Sequence, residues 1–182
     1  TARLTRIRKQ RDQGRKSRQK ATVPTVALVG YTNAGKSTLF NRLTGADVYV
    51  ANLLFATLDP TLRRIDLPDL GGVVLADTVG FIRDLPHDLV IAFHATLEEV
   101  AEADLLLHVV DAGDEQKDLH MAEVDEVLDA IGAKNVPRIL VYNKIDLLEN
   151  MQPKIDHDDV GNIKRVFISA SANMGLELLI LA

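Results

Sequence analysis

The 182-residue chain contains no cysteine. Disulfides and thiolate metal sites are therefore excluded, and the composition fits a reducing compartment. It also lacks any run of about 18 apolar residues, the length a helix needs to cross a bilayer, so no membrane span is predicted. No internal repeat is visible. The chain opens on Thr1 without a signal-peptide pattern, which suggests an excised fragment. The five histidines, His87, His94, His108, His120 and His157, fall in unrelated segments without metal-ligand spacing and are expected to be structural. Asp156, His157, Asp158 and Asp159 read as a solvated loop rather than a cation site.

What is present is a hydrophobic content of 47%, enough at this length for one domain around one core. The net charge of −5 is unevenly spread. Residues 1–20 carry nine basic side chains (Arg3, Arg6, Arg8, Lys9, Arg11, Arg15, Lys16, Arg18 and Lys20) against Asp12 alone, leaving the remainder at −13. Two readings of this arm stand side by side. It can bind RNA phosphates with a salt-dependent affinity, or it can be a solvated helix end with only Leu4 and Ile7 to pack.

Apolar periodicity predicts strands at 23–29, 62–67, 72–76, 104–110, 137–142 and 165–168. Helices are predicted at 36–44, 87–102 and 116–131, closed in the first and third cases by Gly45 and Gly132, with a last helix opening at 175–182. Leu176, Leu179 and Ile180 of that last helix need a partner face. Alternating strands and helices imply an α/β fold with a mostly parallel central sheet, helices on both faces and ligand loops at the carboxyl ends of the strands.

Chemistry concentrates at those strand ends. Gly30, Tyr31, Thr32, Asn33, Ala34, Gly35, Lys36 and Ser37 form a glycine-rich loop between an apolar strand and a helix, continued by Thr38. Such a loop turns its N–H groups inward around phosphates, with the helix N-terminus adding positive potential. Lys36 can reach the β and γ phosphates, and the Ser37 hydroxyl can hold Mg²⁺. Further on, Asn143, Lys144 and Asp146 name the base. Guanine presents an N1–H and an N2 amino group side by side, so one carboxylate at Asp146 accepts both, whereas adenine would leave it unpaired. A site built this way rejects the wrong base by roughly 10⁴-fold or more. Asn143 can tie the base to the phosphate loop, the Lys144 stem can cover the ring, and Ser169, Ala170 and Ser171 are placed to offer backbone N–H to the guanine carbonyl.

Between them, Asp77, Thr78, Val79 and Gly80 follow an apolar run, so Asp77 can bind Mg²⁺ and Gly80 can donate its N–H to the γ-phosphate. Upstream, Phe55, Ala56, Thr57, Leu58 and Asp59 belong to a loop in which Thr57 is the first choice, and Thr61 the second, for a threonine completing the Mg²⁺ shell when the γ-phosphate is present. The expected catalytic set is Lys36, Thr57 and Gly80, with Ser37, Thr57 and Asp77 on the metal. Alone, each short motif also fits an ordinary turn. Their order, each after a predicted strand, points to a GTP site with GDP as product.

One position departs from the common pattern. Many GTPases carry a glutamine after the Asp-x-x-Gly run to orient the attacking water, and here Phe81 stands there and cannot accept a proton. Unaided turnover is then expected to be slow, on the order of 10⁻³ s⁻¹ or below.

The runs GYTNAGKSTLFNRLTGADVY, LFATLDPTLRRIDLP and DTVGFIRDLPHDLV together resemble the GTPase domain of the bacterial HflX family, ribosome-associated GTPases related to translation factors. The resemblance covers nearly everything from Val23 to Ala182. It implies a P-loop GTPase fold over 23–182 with a truncated last helix, and residues 1–22 as the basic helical end of an N-terminal domain not included here. It further implies a cytoplasmic, monomeric enzyme that binds the large ribosomal subunit and its RNA and splits or rescues stalled ribosomes. In related GTPases that lack the glutamine replaced here by Phe81, an asparagine at the same loop position helps to hold K⁺ beside the phosphates, so the resemblance gives Asn33 that role; the other reading is that it merely shapes the loop. A GTP-dependent binding switch in ribosome assembly or tRNA modification, with incidental hydrolysis, shares the same nucleotide motifs.

Overall fold

The computed structural model describes residues 23–45, 61–68, 71–81 and 94–182, with the backbone alone described at 94–96. In chain order these form β1 (Thr25–Val29), α1 (Lys36–Thr44), β2 (Thr61–Leu67), β3 (Gly71–Asp77), α2 (His94–Ala101), β4 (Leu105–Asp111) and α3 (Lys117–Ala130). They continue with β5 (Arg138–Asn143), a 3₁₀ turn (Ile145–Leu147), β6 (Lys154–His157), β7 (Ile163–Phe167) and α4 (Leu176–Leu181).

The strands make one seven-stranded sheet in the order β2-β3-β1-β4-β5-β7-β6. Pairing is parallel from β3 through β1, β4 and β5 to β7, and antiparallel only for β2 on β3 and β6 on β7. Helices cover both faces, because the strands are apolar on both sides. One face buries Ala27, Val29 and Leu106 with Leu97 and Val100 of α2 and Val124 and Leu128 of α3. The other buries Leu28, Val109 and Val166 with Leu39 and Phe40 of α1 and Leu176 and Leu179 of α4. That sheet face, with Leu39 and Phe40, is the partner that Leu176 and Leu179 of the last helix required, and Leu178 rather than Ile180 packs alongside them.

Helix α1 ends where the sequence predicted, on Gly45 in the left-handed conformation at φ 64°. The reading of 156–159 as a loop needs correction. Asp156 and His157 lie in β6, an edge strand antiparallel to β7, and only Asp158 and Asp159 remain in the turn. The strand is short and polar, so no apolar alternation announced it. Its carboxylate is paired across the ladder, since the Arg165 side chain donates to Asp156 at 2.8 Å. The Arg165 and Lys154 cations also lie over the Phe167 ring, at 5.5 and 4.7 Å from its centroid. Burial of ring and stems against one another replaces the alternation that a longer strand would have shown.

Candidate functional site

The carboxyl ends of β1, β3, β4, β5 and β7 converge on one rim, and the phosphate loop begins there. Gly30 follows β1 with φ 152°, and a β-carbon on it would overlap the Val109 carbonyl, so the close approach to β4 requires glycine. The loop is then stitched to the segment after β3. The Thr32 amide donates to the Phe81 carbonyl at 2.9 Å, and the Phe81 amide donates to the Gly30 carbonyl at 3.0 Å. Asn33 at φ 60° and Gly35 at φ 99° complete the wrap before α1 starts at Lys36, with Thr38 one residue beyond Ser37 in its first turn.

Lys36 is 6% exposed, and its ammonium donates to the carbonyls of Gly30 at 3.2 Å and Tyr31 at 3.0 Å. Burial lowers its pKa to about 8, partly opposed by the nearby Asp77 carboxylate. A cation held this dry, inside a turn of backbone, is suited to a polyanion. Gly80 keeps the opposite wall close: a β-carbon there would stand 2.9 Å from the Thr32 Cα and 3.2 Å from the Lys36 Nζ.

Next to the lysine, the Ser37 hydroxyl donates to Asp77 Oδ2 at 2.6 Å. Thr61, the second-choice threonine, is the register partner of Asp77 across the β2–β3 ladder. These are hard oxygen donors on the same rim, the set that Mg²⁺ prefers. The two residues after Asp77 serve the fold with their side chains. The Thr78 hydroxyl is buried and donates to the Leu28 carbonyl, and Val79 is fully buried in the core. The Phe81 ring is 1% exposed and packs in that same core, while its backbone is hydrogen-bonded to the phosphate loop.

On the base side, the buried Asn143 spans two loops. Its Nδ2 donates to the Ala34 carbonyl at 3.0 Å, and its Oδ1 accepts from the Ala170 amide at 2.9 Å. Lys144, at φ 66°, reaches back to the phosphate loop, donating to the Asn33 carbonyl and pairing with Asp111, both at 2.7 Å. Asp146 is exposed at the mouth, where Ser169 donates to its Oδ1 at 2.5 Å and Ser171 lies 3.2 Å from the Ser169 hydroxyl. The amides of Ser169 and Ala170 are already engaged, with the Met174 carbonyl and the Asn143 Oδ1.

Four neighbours of the candidate site escaped the sequence reading. Arg42 of α1 donates to the carbonyls of Ala170 and Ser171, both at 3.0 Å, fastening the base-side loop to the helix that carries Lys36. Asp111 ends β4 as Asp77 ends β3, and that shared position was the available signal. Asp114 and His120 carried none. They meet through the fold, with His120 Nδ1 2.5 Å from Asp114 Oδ2 and the imidazole stacked on the Tyr31 ring. His108 is buried in β4, and its pKa is lowered to about 4 by burial and then by Arg138. Phe55, Ala56, Thr57, Leu58 and Asp59, the basic arm at 1–20 and His87 lie outside the described residues. Among the described residues no helix is long and apolar enough to cross a membrane.

Comparison with known proteins agrees with this geometry. A family model described as a 50S ribosome-binding GTPase matches residues 25–144. The chain is 61% identical over 175 residues to the GTPase HflX of Escherichia coli (strain K12), covering 96% of this chain and 41% of that protein. It is 54% identical over 177 residues to the GTPase HflX of Caldanaerobacter subterraneus subsp. tengcongensis, covering 97% and 40%. The chain thus spans about two fifths of the length of these relatives. Among solved structures, it is similar to a GTP-binding protein of Sulfolobus solfataricus in complex with GDP, with TM-score 0.67, 28% identity, and 96% and 55% of the two chains covered. It is also similar to an Era variant of Aquifex aeolicus bound to GDP and AlF4⁻, with TM-score 0.69, 25% identity, and 87% and 55% covered.

Proposed function

Since this chain belongs to the HflX GTPases within the 50S ribosome-binding GTPase family, we propose that residues 30–38, 77–80, 143–146 and 169–171 bind GTP and hydrolyse it to GDP and phosphate. The carrying observation is Asn143, which holds the phosphate loop at Ala34 and the base-side loop at Ala170 with one side chain. Two half-sites tied together in this way accept a ligand with phosphates at one end and a base at the other. Asp146, exposed beside Ser169, supplies the carboxylate for the guanine N1–H and N2 amino group.

Ser37 and Asp77 would hold Mg²⁺, with Thr57 or Thr61 completing its shell, and the ion would neutralise charge on the β and γ phosphates. Lys36 exchanges the carbonyls of Gly30 and Tyr31 for phosphate oxygens, and the Gly80 amide donates to the γ-phosphate. Both act where charge develops as water attacks and the β–γ bond breaks. No side chain at position 81 takes part, because the Phe81 ring is packed in the core. Unaided hydrolysis is therefore slow. Asn33, exposed on the loop with its carbonyl already engaged by Lys144, would hold K⁺ by its side chain, and the ion would supply part of the positive charge that the missing group leaves out.

The remaining acceleration comes from the large ribosomal subunit, the partner in keeping with the family model's description. Splitting or rescue of stalled ribosomes is the role proposed for the longer protein, placing it in the cytoplasm, with residues 1–22 contacting ribosomal RNA. Single-turnover hydrolysis of GTP by this chain, with and without purified large subunits, is the test. Slow turnover alone and at least tenfold faster turnover with subunits is expected. An identical rate in both would overturn the ribosome as activator, and no GTP binding at all would overturn the nucleotide site.

A further inference from the structure

The second residue of the phosphate loop is clasped from outside. The Tyr31 ring lies face to face on the His120 imidazole, centroids 3.8 Å apart and planes at 10°. His120 belongs to α3, far from the loop in sequence, and its Nδ1 is fixed by Asp114 Oδ2 at 2.5 Å. Asp114 is itself anchored, because its Oδ1 accepts the Gln116 amide at 2.9 Å at the start of α3. Burial pushes the Asp114 carboxyl up, yet the Gln116 amide and the His120 ring hold it below the usual carboxylate range. Acid, imidazole and phenol ring thus form one rigid series.

The Tyr31 ring is partly buried and packs on one side against the core cluster that holds Val29 and Phe81. A cavity of about 280 Å³ adjoins it, lined among others by Asn33, His108, Lys117 and Met121. The imidazole ring is therefore a second restraint on its position, beside the core. What that position controls is direct, since the Tyr31 carbonyl accepts both the Lys36 ammonium at 3.0 Å and the Ala34 amide at 3.3 Å. A shift of Tyr31 moves the turn that places the Ala34 amide and, in the nucleotide-free protein, the seat of the lysine.

We propose that Asp114 and His120 are positioning residues that fix the phosphate loop through the Tyr31 ring and so set affinity for the phosphate end of the nucleotide. The inference rests on the GTP reading above. It gives α3 a hold on the phosphate loop matching the hold that Lys144 and Asp111 exert on its other side.

The test compares GTP and guanosine binding to the parent, His120→Ala and His120→Phe, by displacement of a fluorescent GDP. A face-to-face ring pair is worth about a three- to tenfold change in an equilibrium. His120→Ala is expected to weaken GTP by about fivefold while leaving guanosine affinity unchanged. His120→Phe, which keeps a flat ring without the bond to Asp114, is expected to recover at least half of that loss on a logarithmic scale. Equal losses for GTP and guanosine, or no loss in His120→Ala, would overturn the inference. A parent that binds neither fluorescent GDP nor GTP would instead defeat the nucleotide reading on which it rests.

Discussion

A β-carbon placed on Gly35 would overlap the amide nitrogen of Asn143. The phosphate loop and the base motif thus touch at a point where neither side chain can grow, and the geometry of one sets that of the other. Gly35→Ala is expected to abolish measurable GTP binding, since it combines this overlap with a backbone at φ 99° that L side chains rarely adopt. Asn143→Ala leaves the buried Ala34 carbonyl and Ala170 amide without their partner, a cost of about 1–3 kcal/mol for each. A loss of tenfold or more in GTP affinity should follow in titration calorimetry.

Lys36 gives a pH signature with a definite sign. Its folded pKa, about 8, lies below the ordinary 10.5, so between these values the unfolded chain binds more protons and stability of the nucleotide-free protein rises with pH. Bound phosphates restore the charge, so GTP binding above pH 8 takes up a proton and weakens towards pH 10. Calorimetry in buffers of different ionisation enthalpy reads that uptake. Lys36→Met should remove both the uptake and the pH slope.

Phe81 stands in the sequence where many GTPases carry the water-orienting glutamine, and its burial changes what a variant there reports. Truncating a ring packed among Val79, Leu97 and Val100 costs about 3–5 kcal/mol. Phe81→Ala should therefore lower the midpoint of chemical denaturation strongly. Phe81→Leu should cost far less and retain the parent's hydrolysis rate per folded molecule.

Asn33 carries the cation test. Its backbone is held at φ 60° by the Lys144 contact on its carbonyl, so Asn33→Ala removes the side chain while the carbonyl contact remains. Hydrolysis by the parent should be several-fold faster in KCl than in matched NaCl, and Asn33→Ala should remove that difference. A rate indifferent to the cation in the parent would assign the missing catalytic group entirely to the ribosome.

Much of the proposed site was legible because the runs expected to recognise phosphate and guanine are short, contiguous and placed directly after apolar strands, as with Lys36 after β1 and Asp146 after β5. Parallel strands buried on both faces also announce themselves as unbroken runs, which is why β4 and β5 were found within a residue of their ends. What the sequence hid depends on three-dimensional meetings. Arg42 reaches Ala170 across 128 positions, and Tyr31 meets His120 only once α3 has folded onto the sheet. β6 escaped because an edge strand of four residues, KIDH, satisfies its polar groups by cross-strand pairing rather than by burying one face.

The central claim is that one carboxylate, Asp146, chooses the base. The most direct measurement is competition between GTP and XTP for the parent and for Asp146→Asn. An amide can donate to the xanthine C2 carbonyl where a carboxylate cannot, so the parent should prefer GTP by at least a hundredfold and the variant should prefer XTP. An Asp146→Asn protein that kept the parent's preference for GTP would show that the base is read elsewhere and would contradict the account.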